Sequence, residues 1–164
     1  MVKSKKGMIK KCRKIMKLMG NRVCWYVCLL TIFSSSLLAQ DEYFSCNTSK
    51  GVATLTIKNN QLIYRTEGDK GKFEFSSNAP TYDKFLYNHY SRFQTDYLTI
   101  SFINSSYEYS IFSSYENNKE EKGVSVLNVK SKKEYKYDCI KTKTDNLIAL
   151  TEKLQCNKDS ALGC

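Results

Sequence analysis

The chain has 164 residues, with one histidine, one proline and a formal net charge of +10. Nine of its 26 Lys and Arg side chains lie in residues 1–39, which hold no acidic residue, so residues 40–164 carry 17 basic against 16 acidic groups. A near-neutral body excludes the basic field on which non-specific nucleic-acid binding depends, and one histidine excludes a metal site built from several.

The basic residues Lys3 to Arg22 precede an apolar run at 23–33, three serines, Leu37, Leu38 and Ala39, and then the polar Gln40, Asp41 and Glu42. A positive head, an apolar centre and a small residue before a polar run form the layout of a secretory signal peptide over residues 1–39. A start at Met16 leaves Lys17 and Arg22 ahead of the apolar run, so residues 1–15 read as an overlong start. The competing reading is an uncleaved membrane anchor. Residues 23–39 are 17 uncharged positions, the lower end of the about 17–25 that a span requires. Thr31 and the three serines weaken such a span, and Leu37 stands where a peptidase prefers a small side chain. Both readings carry residues 40–164 across a membrane, in a periplasmic or secreted location that we read as bacterial.

The body is read as a single β-rich domain, and its dominant period is two. Residues 42–46 form a first strand-like segment. Ala53, Leu55 and Ile57 then alternate with Thr54, Thr56 and Lys58, the pattern of a half-buried strand. Asn59 and Asn60 separate this run from 61–65, and two asparagines tolerate the positive φ of a tight hairpin. Gly68 to Gly71 is the next turn, 72–75 alternates again, and Pro80 marks a longer loop. Residues 84–93 are aromatic and extended, and 97–102 and 107–111 alternate around a turn at 104–106. The charged stretch 116–123 reads as a solvated loop before 124–126 and 133–139. About eight strands joined by short turns predict an all-β, antiparallel meander that closes into a small barrel or folds over as a sandwich. A helix is expected over 145–155, capped by Thr144 or Asp145, with Leu147, Leu150 and Leu154 on one face.

Four cysteines fall in the body: Cys46, Cys139, Cys156 and Cys164. An even count in an exported chain reads as two disulfides. Three connectivities are open; Cys46–Cys139 with Cys156–Cys164 is favoured because Cys46 ends the first strand-like segment and Cys139 the last. No C-x-x-C pair occurs in the body, so zinc spacing is absent.

Catalysis needs a group of suitable pKa and a partner to orient it. His89 could join a Ser–His–Asp arrangement, but no G-x-S-x-G elbow presents a serine to it. P-loop, dinucleotide-binding, H-E-x-x-H and EF-hand patterns are also missing, so no enzyme and no cofactor is expected. Eleven of the twelve tyrosines lie in the body. Most suit core positions in strands. Around Tyr87, His89, Tyr90 and Arg92 the rings are denser, and Tyr and Arg favour protein-binding hot spots. These four residues are the candidate binding site.

In outline, an exported meander barrel with a disulfide between its first and last strands is similar to small periplasmic lysozyme inhibitors. No inhibitory loop matches, so no residue role is carried over. The expected function is an exported, disulfide-stabilised, non-enzymatic domain that binds a protein or envelope component in an inhibitor- or immunity-like role, with no nucleic-acid partner. The rivals are a membrane-anchored envelope accessory protein, held through residues 23–39, and a secreted enzyme using His89.

Overall fold

The computed structural model describes residues 41–160 and 162–164. The expected signal peptide or anchor at 1–39 lies outside the described residues. Nine strands follow one another: β1 (Asp41–Thr48), β2 (Gly51–Lys58), β3 (Gln61–Gly68), β4 (Gly71–Ser76), β5 (Leu86–Arg92), β6 (Thr95–Asn104), β7 (Tyr107–Glu116), β8 (Lys119–Asn128) and β9 (Glu134–Asp145). A 3₁₀ turn (Leu147–Leu150) and a two-residue strand β10 (Gln155–Cys156) complete the chain.

Six of the hairpins turn through two residues. Asn59 and Asn60 have φ of 52° and 60°, and Asn117 and Asn118 have φ of 49° and 68°. Two positive φ values in succession match the right-handed twist of the flanking strands. The second asparagine pair corrects the expectation of a long charged loop at 116–123. Glu116 pairs directly with Lys119, and the charges sit on strands.

The sheet order is β10-β5-β6-β7-β8-β9-β1-β2-β3-β4. Every neighbouring pair of the nine-strand meander is hydrogen-bonded except β4 with β5, and the first strand pairs with the last. The expected closed barrel is therefore a curled half-barrel, open between β4 and β5. Rings, not backbone hydrogen bonds, bridge that gap. Phe75 of β4 stacks on Phe102 of β6 at 4.3 Å, and Phe73 stacks on Tyr109 of β7 at 5.0 Å. The connection 77–85 fills the remaining space: Phe85 is fully buried, and the Ser77 hydroxyl accepts the Leu62 N–H at 3.0 Å.

The helix expected over 145–155 does not form. Its proposed caps are engaged elsewhere, because β9 runs on to Asp145. Thr144 pairs with Ser45 and donates to Glu42 at 2.6 Å. Asp145 meets the Lys122 ammonium at 2.9 Å and accepts from the Ser113 hydroxyl at 2.9 Å. A single 3₁₀ turn and an extended return replace the helix, yet Leu147, Leu150 and Leu154 are all buried. They join Phe44, Leu55, Leu62, Tyr64, Ile100 and Ile111 in one core, so burial of the apolar face was preserved in a different backbone.

Cys46 and Cys139 are bonded, with Cα atoms 5.6 Å apart, across the β1–β9 pair that joins first strand to last. Ile140, next to this bridge, is an extra residue in the ladder between Cys139 and Lys141. A bulge of this kind turns one side chain outward, and Ile140 is 75% exposed. Cys156 and Cys164 form the second bridge. Two disulfides mark a domain that folds in an oxidising, extracytoplasmic compartment. Among the described residues no helix is long and apolar enough to cross a membrane.

Candidate functional site

Successive strand residues point to opposite faces, and β5 applies this rule to the four candidate residues. Tyr87 and His89 lie on the inner face. Tyr87 pairs with Ile100 and packs against the core, and His89 Nε2 lies 3.1 Å from the Asp96 carboxylate. Tyr90 and Arg92 lie on the outer face. Tyr90 stacks on Tyr97 with centroids 6.4 Å apart, and the Arg92 guanidinium sits 5.7 Å from the Tyr90 ring centre. The strand thus brings Tyr90 and Arg92 together and separates them from Tyr87 and His89. Ser113, a possible hydroxyl partner for histidine on that inner face, donates to Asp145 instead.

The outer face carries more than these two residues. Leu86, Ser101, Ser110, Ser125 and Lys136 form one cross-strand row from β5 to β9. The neighbouring row is Asn88, Thr99, Phe112, Gly123 and Asp138. Three serines in a row leave a low floor between larger residues, and the depression above it has a volume of about 820 Å³. Phe112 fills the place that a side chain on Gly123 would take; a Cβ there would meet its ring at 2.8 Å. Above Phe112 stands the Lys136 ammonium, 4.9 Å from the ring centre and bound to Glu121 at 2.7 Å. The Glu121 hydrogen bond raises the Lys136 pKa, so this cation persists over the trough.

The chain's tail builds the other wall. β10 pairs in parallel with Leu86 and Tyr87. The buried Asn88 side chain donates to the carbonyls of Asn157 and Gly163, each at 2.9 Å. Asn157, Asp159, Ser160 and Leu162 thereby line the trough. At its far end lies Tyr97, which also belongs to the hairpin tip. A hydrogen bond to Glu116 raises the Tyr97 phenol pKa, and Asn117 N–H donates to the Gln94 carbonyl at 3.1 Å. These contacts tie the β5–β6 and β7–β8 tips together. Phe93, on the first of them, is 87% exposed.

Sequence reasoning missed the serine floor, Asn88, Tyr97 and the exposed Phe93. Each serine occupies an ordinary polar position of an alternating strand, and only the register aligns the three. Phe93 carried a signal: a large apolar residue at the centre of a two-residue turn has nothing to pack on. Among the described residues no cluster of three His, Cys, Asp or Glu side chains gathers as metal ligands. No protein-family model, no curated protein and no solved structure matches the chain.

Proposed function

We propose that the protein is an exported, non-enzymatic binding domain that holds another macromolecule against the outer face of β5–β9, acting in the periplasm or outside a bacterial cell. One observation carries this reading: the trough of about 820 Å³ is continuous, through Tyr97, with a tip that presents Tyr90, Arg92 and Phe93. Aromatic and Arg side chains dominate binding hot spots because they offer large rigid contact area with a polar end. Tyr90 is held by stacking on Tyr97, Arg92 lies over the Tyr90 ring, and the backbone of the turn that carries Phe93 is held by the bond between the two turns. A preorganised surface loses little freedom on association, which favours affinity. An inhibitor- or immunity-like protein needs such a surface and no chemistry of its own.

The reading is tested by capture from an envelope extract with the oxidised protein. Ser110→Trp should fill the floor, and Arg92→Ala with Phe93→Ala should strip the tip. Both variants should lose the captured partner while keeping the wild-type melting temperature. A partner retained at full yield by both variants would place recognition elsewhere and refute this assignment.

A further inference from the structure

The inner face holds a second cavity, separated from the trough by the sheet itself. It opens at the end of the half-barrel that carries the β1–β2 turn and has a volume of about 280 Å³. Tyr64, Phe73, Tyr109, Val124 and Val126 line it, with Ala53 opposite. The aromatic wall is fixed: Phe73 and Tyr109 stack at 5.0 Å, and Tyr109 and Phe102 stack at 5.0 Å. The space exists because Ala53 and two valines stand where larger residues would fill the interior. Small-ligand pockets run from about 300 Å³ upward and are mostly apolar with a few placed polar groups. Apolar cavities of even about 150 Å³ stay dry and accept small hydrocarbons.

The charged groups lie at the mouth. Lys50 and Thr66 line both this cavity and the adjoining surface depression, which also carries Lys70, Lys72 and one acidic residue, Asp69, so that lysines outnumber carboxylates on its lining. Lys72 is bound to Glu67 at 2.7 Å. Lys50 and Lys70 make no ion pair among the described residues. An apolar, ring-walled interior beneath a lysine-bearing rim is complementary to a molecule with one apolar end and one negative end. We propose that this cavity binds a medium-chain carboxylate, its hydrocarbon chain among Tyr64, Phe73 and Tyr109 and its carboxylate at Lys50. Burial raises the phenol pKa values of Tyr64 and Tyr109, so both hydroxyls remain protonated and do not repel the anion. This site is independent of the outer trough and goes beyond the role proposed for it.

Octanoate and octanol titrated into the oxidised full chain, followed by calorimetry, test the assignment. Octanoate should bind at one saturable site, at least tenfold more tightly than octanol. Lys50→Ala, a substitution on an exposed turn, should weaken octanoate about tenfold and leave octanol unchanged. Val126→Phe should abolish binding of both. Unsaturable octanoate binding, octanol binding as tightly as octanoate, or octanoate affinity unmoved by Lys50→Ala would each overturn the proposal. The Lys50 variant decides the matter even where Val126→Phe disturbs folding.

Discussion

Asn88 in β5 and Gly163, 75 positions later, are joined by a hydrogen bond of 2.9 Å from the side-chain amide to the backbone carbonyl. The same amide donates to Asn157, so one buried side chain holds both arms of the loop closed by Cys156 and Cys164. Asn88→Ala should cost about 2–3 kcal/mol, from two lost hydrogen bonds and two carbonyls left without their donor. Urea unfolding measures the loss. Amide exchange should accelerate over residues 156–164 far more than over β6 or β7.

Two residues on opposite faces of β5 should respond differently to truncation. Tyr87 packs on the core, so Tyr87→Ala should lower stability by about 2–3 kcal/mol. Arg92 is exposed on the outer face, and Arg92→Ala should change stability by less than about 0.5 kcal/mol. Equal effects on melting temperature would contradict the division of β5 between two faces.

The disulfides should differ in weight. Cys46 and Cys139 are separated by 93 positions and Cys156 and Cys164 by 8. In the chain-entropy model the longer loop stabilises by about 4.7 kcal/mol and the shorter by about 2.6 kcal/mol. Replacing each pair by alanine and comparing urea midpoints checks the order. The long-loop variant should be the less stable of the two.

Glu121 provides a pH signature. Hydrogen bonds from Lys119 and Lys136 hold its carboxyl at about 2, below the ordinary 4.5. A carboxyl depressed in the folded state contributes stability above its unfolded pKa and loses it as pH falls through the folded one. The window therefore runs from about pH 4.5 down to about pH 2. The group is solvent-exposed, so salt screens the effect and its size is small. A carboxyl-carbon NMR titration should place the Glu121 midpoint near 2, and Lys136→Met should move it upward. A wild-type midpoint near 4.5 would contradict the pairing.

Much of the fold was legible because the strands carry their own signals. Ala53, Leu55 and Ile57 gave the period, and Asn59 with Asn60 gave the turn. The cysteine pairing followed once the first and last strands were expected to meet. Other features were hidden for physical reasons. Asn117 and Asn118 carry the same turn signal as the earlier pair, but the surrounding charges suggested a loop. Leu147, Leu150 and Leu154 have helical spacing, yet a 3₁₀ turn with an extended return buries the same three residues. The gap between β4 and β5 depends on how Phe73, Phe75 and Phe85 pack, which alternation does not specify. The candidate site was the least legible part. Strand alternation alone could have split Tyr87 and His89 from Tyr90 and Arg92. The serine row takes one residue from each of β6, β7 and β8, and only the pairing register brings them side by side.

The bridge between β1 and β9 also determines how the domain bears mechanical load. A pull applied at Asp41 and at Asp145, the outer ends of β1 and β9, draws on two strands in the middle of the sheet, not at its margins. Tension can peel away the few residues before Cys46 and those after Cys139. At that point the force passes along a covalent bond, and the 93-position loop between the two sulfurs carries none of it. Traction that would unravel an unbridged meander from its ends therefore leaves seven strands, β2 to β8, unstretched.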